Sequence, residues 1–189
     1  MSEITSLPLP KERNLYFHRG VDEDSVGELT KSIISINEND DLLNRLYDVY
    51  DLEYKPKPIK VYIDSYGGQV NQILGLVSVF ESSETPIHTI VTGVAMSAGM
   101  IMSISGHRRF AHTRSTIMIH QLSAGAWGTL TDVEEFVEEM KRLQDKLESI
   151  IMEKTKITKT KLKEIRDRKI DWYLDANQAL ELGLIDEII

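Results

Sequence analysis

Apolar residues follow two alternating periods along the chain, which predicts strands that alternate with helices. Short apolar runs at 14–18, 59–64 and 87–92 have the length and composition of strands, as do runs at 108–112, 116–120 and 171–174. Between them, apolar residues recur every three to four positions, as in helices that bury one face. The predicted helices cover 22–36, 42–50, 69–82, 132–154, 161–168 and 176–182, and a further helix follows Gly93.

Two polar signals delimit these helices. The stretch NENDD at 37–41 predicts a break between the first two, and Thr131 with Glu134 forms a capping-box pattern at the start of the long helix. Repeated strand–turn–helix units are typical of an α/β fold with a mainly parallel sheet. Residues 1–13 are polar and contain prolines, so we expect a flexible arm followed by a single domain at 14–189.

Composition and charge exclude several classes of protein. The net charge of −8 argues against a broad nucleic-acid interface, which needs a basic surface. The absence of cysteine excludes a disulfide scaffold and a thiol nucleophile, and fits a reducing, cytoplasmic location. The N-terminus has no apolar core of a signal peptide. The most apolar stretch, 90–106, is interrupted by glycines and serines, so we interpret it as protein core and not as a membrane span.

Ser97 is the first candidate for chemistry. It follows a β-rich run and precedes an apolar helix, where free backbone amides and the helix dipole favour negative charge. An acyl oxyanion could be held there by the amide of Ala98. The alternative is an ordinary N-cap serine in a close-packed turn.

A glycine pair supplies a second candidate. Gly67 and Gly68 follow the strand at 59–64 and open a helix, so their backbone can approach a substrate closely. The amide of Gly68 is a candidate second oxyanion donor. A simple tight turn is the alternative, and a phosphate-binding turn is a weaker one, because neither common phosphate-loop pattern is present.

A nucleophilic serine needs a base, and His120 is the best placed of five histidines because it ends an apolar strand before a glycine-rich loop. His18 and His88 have apolar neighbours and are interpreted as structural. His107 and His112 lie among arginines and are interpreted as solvated.

Spacing alone does not single out the carboxylate that would orient the base. Asp171 lies between apolar residues and is therefore expected to be more buried than Asp167, which is flanked by arginines. Asp175 is expected to cap the last helix, and Asp64 remains an alternative. The histidines lack metal-ligand spacing, so no metal site is predicted.

Taken together, these segments resemble the ClpP-type serine peptidases, the proteolytic subunits of Clp protease. The resemblance rests on four motifs in the family's order: the glycine pair after a strand, GVAMSAG at 93–99, MIHQ at 118–121, and Asp171 followed by ALELGLID at 179–186. The likeness extends from about residue 12 to the C-terminus.

The resemblance implies a function and a fold. It implies Ser97 as nucleophile, His120 as general base, Asp171 as its orienting partner, and an oxyanion hole from Gly68 and Ala98. It implies a crotonase-like spiral of βαβ units with a protruding handle, made of a strand and the long helix within 121–154. No cofactor enters the hydrolysis. Seven-membered rings stacked as a tetradecamer would enclose the sites and admit peptide and protein substrates.

Three features depart from the family pattern. Only about thirteen residues precede Asn14, which leaves a partnership with an AAA+ unfoldase open; Leu122 stands where the family usually has proline; and the stretch 37–58 is longer than its counterpart. Two other functions remain as alternatives. One is a non-catalytic ring subunit, and the other is a crotonase-type acyl-CoA enzyme, for which the sequence offers no evident basic pocket.

Overall fold

A computed structural model of the chain describes residues 11–189, and these form one α/β arrangement. Its strands are β1 (Asn14–Phe17), β2 (Ile59–Ser65), β3 (Ile87–Met96), β4 (Arg108–Ala111), β5 (Thr116–Ile119), β6 (Trp172–Asp175) and β7 (Glu187–Ile188). Its helices are α1 (Glu23–Val49), α2 (Val70–Ser82), α3 (Ala98–Ile104), α4 (Leu130–Lys154), α5 (Lys159–Arg168) and α6 (Ala176–Glu181). Within residues 11–189, every helix is too short or too polar to cross a membrane.

The strands form one sheet in the order β1-β2-β3-β4-β7, and each of these neighbours pairs in parallel. On the side away from β2, the long strand β3 has two partners: its first half pairs with β4, and its last residues, Val94–Met96, pair with β5. β6 then pairs with β5 as the one antiparallel pair among the described strands. The predicted α/β fold with a mainly parallel sheet is therefore confirmed.

The short helix α3 occupies the middle of the core. All seven of its residues are buried, and it packs against α2, β3 and α4. In β2 every second residue is buried, whereas in β3 three consecutive residues, 89–91, are buried, as in a strand that is covered on both faces. The end of β3 and the start of α3, where Ser97 lies, are therefore fixed by the most enclosed part of the fold.

The predicted break at 37–41 is wrong, because α1 continues through it to Val49. The polar residues there have tertiary partners. The Asp40 carboxylate is buried and accepts hydrogen bonds from Arg13, Tyr54 and Thr85. The Asn37 side chain donates to Ser83 and accepts from the Thr85 amide. These contacts hold a helix that local propensity alone would have ended.

The predicted start of the long helix is wrong by two residues. α4 begins after Thr129, and the capping box is formed by Thr129 with Asp132, not by Thr131 with Glu134. The N-terminal half of α4 is not buried by the rest of the described chain, so this helix protrudes. Residues 120–129 form no strand with any other part of residues 11–189, so the strand expected in the handle is absent there.

Most of the predicted flexible arm, residues 1–10, lies outside the described residues. Arg13 is described, and it is anchored: its guanidinium pairs with Asp40 and donates to the Lys57 carbonyl at 2.7 Å. The predicted arm, residues 1–13, therefore includes at least one residue that contacts with the domain hold in place.

Candidate functional site

Ser97 lies at a sharp strand-to-helix turn between β3 and α3. Its backbone has φ 53° and ψ −123°, a conformation that non-glycine residues rarely adopt. Its own amide donates to the Met118 carbonyl of β5 at 3.1 Å, which ties the turn to the neighbouring strand. Although Ser97 is the N-cap residue, its hydroxyl makes no capping hydrogen bond. The alternative of an ordinary N-cap serine therefore does not describe this residue.

Gly67 lets the turn after β2 lie directly against Ser97. Its φ is +97°, and a Cβ at this position would be 2.7 Å from both the Met96 carbonyl oxygen and the Ser97 Cβ. The next residue, Gly68, has φ +153° and forms an isolated bridge with Val21. Both glycines are thus required by close backbone approach, as the sequence suggested.

The two amides predicted as oxyanion donors are both available. Ala98 is the first residue of α3, so its amide has no partner within the helix. The neighbours of Gly68 are engaged, because the Gly67 carbonyl accepts from Val21 and the Gln69 amide donates to Val21. Within residues 11–189, neither the Gly68 nor the Ala98 amide donates a hydrogen bond.

Ser97, Ala98 and His120 line one cavity of about 80 Å³. Most of the remaining lining is apolar and comes from α2, α3 and α4: Val70, Ile73, Met100, Ile101, Leu147 and Ile151. Gln121, Leu122, Ser123 and Gln144 complete it. The topology explains why these residues meet: Ser97 follows β3, His120 follows β5, and the ends of β3 and β5 pair in parallel.

Asp171 is the nearest acidic partner of His120. Its Oδ1 lies 3.7 Å from the His120 Nδ1, which is too far for a hydrogen bond, and its side chain is 60% exposed. The expectation that Asp171 is more buried than Asp167 is therefore wrong, since the Asp167 side chain is 50% exposed. Asp171 immediately precedes β6, which pairs with β5, and this pairing brings it beside His120.

The rival carboxylates have other partners. Asp64 accepts from the Val94 amide at 2.9 Å, Asp167 pairs with Lys163, and Asp175 caps α6 in a capping box with Gln178. The structural role expected for Asp175 is confirmed. Of the alternatives weighed, only Asp171 lies beside His120.

The other histidines lie elsewhere. His18 is exposed, contrary to expectation, with its ring edge against Tyr16. His88 is half-buried, and burial together with Arg108 lowers its pKa. His107 is exposed as expected, but its Nδ1 also accepts from the Ile87 amide at 3.0 Å. His112 is exposed at the end of β4, as expected.

Sequence reasoning missed the contribution of α4 to the cavity. Gln144 and Leu147 lie one turn apart and face it, whereas the long helix was considered only for its apolar stripe. The sequence did carry a signal of this contribution, because Gln144 and Glu148 are polar residues on the face of α4 that is otherwise apolar.

Comparison with known proteins agrees with this geometry. The family model described as Clp protease matches residues 9–189. The ATP-dependent Clp protease proteolytic subunit 2 of Treponema pallidum is 32% identical over 165 residues, which is 86% of this chain and 79% of that protein. The ATP-dependent Clp protease proteolytic subunit of Dehalococcoides mccartyi is 37% identical over 141 residues, 74% of this chain and 70% of that protein.

The proteolytic subunit of Deinococcus radiodurans is 35% identical over 141 residues, which is 74% of this chain and 68% of that protein. These matches do not favour the non-catalytic or acyl-CoA alternatives, and they confirm the predicted resemblance. The chain therefore belongs to the Clp protease family and is a serine-type endopeptidase subunit.

Proposed function

We propose that the chain hydrolyses peptide bonds with Ser97 as nucleophile, His120 as general base and Asp171 as the group that orients His120. The observation that carries the proposal is that Ser97 and His120 line the same cavity. Ser97 lies there in a strained turn, and its hydroxyl makes no capping hydrogen bond. His120 takes the proton of Ser97, and the Ser97 oxygen attacks the peptide carbonyl. The imidazolium then protonates the leaving amine, and water repeats the sequence on the acyl-enzyme.

The developing oxyanion is bound by the amides of Gly68 and Ala98. Both donors lack acceptors within the described residues, so no internal hydrogen bond has to break when the oxyanion forms. Preorganised donors of this kind are among the largest contributions to acyl-transfer catalysis. The positive end of α3 adds to the same effect.

The apolar lining of the cavity points to the side chain bound next to the scissile bond. Ile73, Met100 and Ile101 lie on elements adjoining Ser97, and among the residues that line the cavity the only ionisable side chain is that of His120. Burying a charged side chain there without a partner would be costly. We therefore infer a preference for apolar residues on the acyl side of the cleaved bond.

The protruding helix supports assembly with further copies of the chain. The apolar groove between α4 and the segment after His120 has a volume of about 570 Å³ and includes Phe136, Val137 and Met140. An exposed apolar stripe on a protruding helix is typical of a subunit interface. We propose that these copies form stacked seven-membered rings. We also propose that the rings work with an ATPase partner, as the relatives' names imply, and that the protein is cytoplasmic.

Hydrolysis of fluorogenic peptides tests the proposal. Two peptides that differ only in leucine or aspartate before the fluorophore should be compared, with Ser97→Ala as the inactive control and sedimentation velocity to record the assembly. We expect cleavage of the leucine peptide alone, and none by Ser97→Ala. Equal cleavage by Ser97→Ala, or none by an assembled wild type, would contradict the proposal.

A further inference from the structure

A series of hydrogen bonds between partly buried polar groups connects the segment after His120 to the helix before Asp171. The Leu122 amide donates to the Gln144 Oε1 at 2.7 Å, and the Gln144 Nε2 donates to the Glu148 Oε1 at 2.9 Å. The Arg166 Nη1 donates to the same Glu148 oxygen at 2.8 Å. Leu122 is two residues after His120, and Arg166 is five residues before Asp171.

The charges of Glu148 and Arg166 fix the orientation of the Gln144 side-chain amide. Glu148 is one of two buried carboxylates among the described residues, with 7% of its side chain exposed, and Arg166 is its ion-pair partner. A carboxylate only accepts, so the Gln144 amide must turn its NH₂ group towards Glu148. Its carbonyl oxygen then has to face the Leu122 amide, which leaves one orientation that satisfies every partner.

The segment that follows His120 has few other anchors. Residues 120–129 form no strand with the described chain, and residues 123–129 are exposed. Gln144 also lines both the Ser97 cavity and the apolar groove on α4, so it lies between them. A shift of Leu122 would therefore change the wall of the cavity next to His120.

We propose that Gln144 is a positioning residue for the catalytic base, and that Glu148 and Arg166 hold it in the required orientation. Together they form a brace between the two segments that carry His120 and Asp171, whose side chains are 3.7 Å apart and not hydrogen-bonded. This inference rests on the proposed function, because it assigns a role relative to His120. Gln144 itself acts through Leu122 and touches no reacting atom.

Exchanging the two side chains is a sharp test of the brace. Gln144→Glu places two carboxylates at hydrogen-bond distance with no proton between them. Adding Glu148→Gln removes the second carboxylate and puts a donor opposite the first. The carboxylate introduced at position 144 then accepts from Leu122 and from the NH₂ group introduced at position 148. Arg166 has to turn to the carbonyl oxygen of that amide, because in the wild type it shares one Glu148 oxygen with Gln144. Glu153→Gln is the matched control, since Glu153 lies on the same helix with a 68% exposed side chain.

The measurements are the rate of fluorophosphonate labelling and the kcat and KM for the leucine peptide, with thermal unfolding and sedimentation recorded for each variant. We expect Gln144→Glu to lower the labelling rate and kcat about tenfold to a hundredfold, as small misplacements of a catalytic group do, with KM within about twofold. The double variant should recover to within about threefold of Glu148→Gln, because directly coupled sites are strongly non-additive. Glu153→Gln should match wild type.

Several outcomes would overturn the inference. One is a folded Gln144→Glu that is labelled at the wild-type rate, and another is a folded double variant that is no faster than Gln144→Glu. Should Gln144→Glu unfold or dissociate, Gln144→Met removes the acceptor without adding charge and must show the same loss of kcat. If wild type and Ser97→Ala were labelled alike, the proposed function itself would fail, whichever result Gln144 gave.

Discussion

The two halves of the candidate site are built very differently. The Ser97 half lies where β2, β3 and α3 meet, with Gly67 against the Ser97 Cβ and Ala98 buried at the start of a wholly buried helix. The His120 half lies at the edge of the described fold. There, His120 and Asp171 are 3.7 Å apart, Asp171 is exposed, and the chain continues into a segment without strand pairing.

The difference shows which part of the chemistry a single chain can fix by itself. The proposed nucleophile and oxyanion amides are set by backbone geometry, which the sheet and α3 determine. The proposed base and its carboxylate depend on side chains at a surface that also carries the apolar groove of α4. We therefore expect the Ser97 half to be formed in every assembly state, and the His120–Asp171 contact to shorten on assembly or substrate binding.

Loss of the base should be as severe as loss of the nucleophile, despite its looser surroundings. His120→Ala should lower kcat/KM for the leucine peptide by about 10⁶-fold, because residues that act as a unit give similar losses when either is removed. His112→Ala is the control, since His112 is an exposed histidine at the end of β4. Activity of His120→Ala within about tenfold of wild type would rule out its role.

Asp171 should matter less than His120. Asp171→Asn should lower kcat/KM by about 10⁴-fold or less, because the exposed carboxylate orients the base without touching the reacting atoms. Asp167→Asn, at an exposed aspartate paired with Lys163, is the matched control and should remain active. A greater loss in Asp167→Asn than in Asp171→Asn would reverse the assignment.

A methyl group at Gly67 should disturb the Ser97 half alone. Gly67→Ala places a Cβ 2.7 Å from the Ser97 Cβ in a left-handed backbone, so kcat should fall about a hundredfold through displacement of the nucleophile. Gly27→Ala is the control, because Gly27 lies in α1 with nothing within 4 Å of the added atom. It should keep full activity and raise the free energy of unfolding by about 1 kcal/mol.

A change remote from both halves should alter stability and leave the chemistry intact. Burial alone would raise the pKa of Asp40, but the hydrogen bonds from Arg13, Thr85 and Tyr54 outweigh it and lower that pKa. The stabilisation is then fully present above the unfolded pKa, near 3.8, and is lost as the pH falls through the lower folded pKa.

Asp40→Asn should therefore cost about 3 kcal/mol at pH 7, the low end for breaking a buried ion pair, and should flatten the loss of stability in acid. Urea unfolding at pH 7 and at low pH measures both effects. The folded variant should keep the wild-type kcat. The wild type should lose more stability than Asp40→Asn when the pH is lowered. Equal losses in the two proteins would contradict this account of Asp40.

Local motifs accounted for the Ser97 half better than for the rest. A serine between a strand and an apolar helix, and a glycine pair after a strand, are features of a few consecutive residues, so they could be recognised from the sequence. The exposure of Asp171 could not, because it depends on how β6 pairs with β5. The continuity of α1 was missed for the same reason, since Asp40 is held by residues distant in sequence.

Gln144 shows the same limit at the site. Its position on the buried face of α4 was visible, but its partners come from the segment after β5 and, through Glu148, from α5. Only the folded chain brings those segments together. The capping box of α4 was recognised by residue type and misplaced by two positions, because Thr129 and Thr131 both fit the local pattern.

The most direct test of the central claim is the intact mass of the protein after fluorophosphonate treatment, with Ser97→Ala alongside. The account predicts a single adduct per wild-type chain and none on Ser97→Ala, because Ser97 is the activated serine of the site. An adduct of equal yield on Ser97→Ala, or an assembled wild type that stays unmodified, would contradict it.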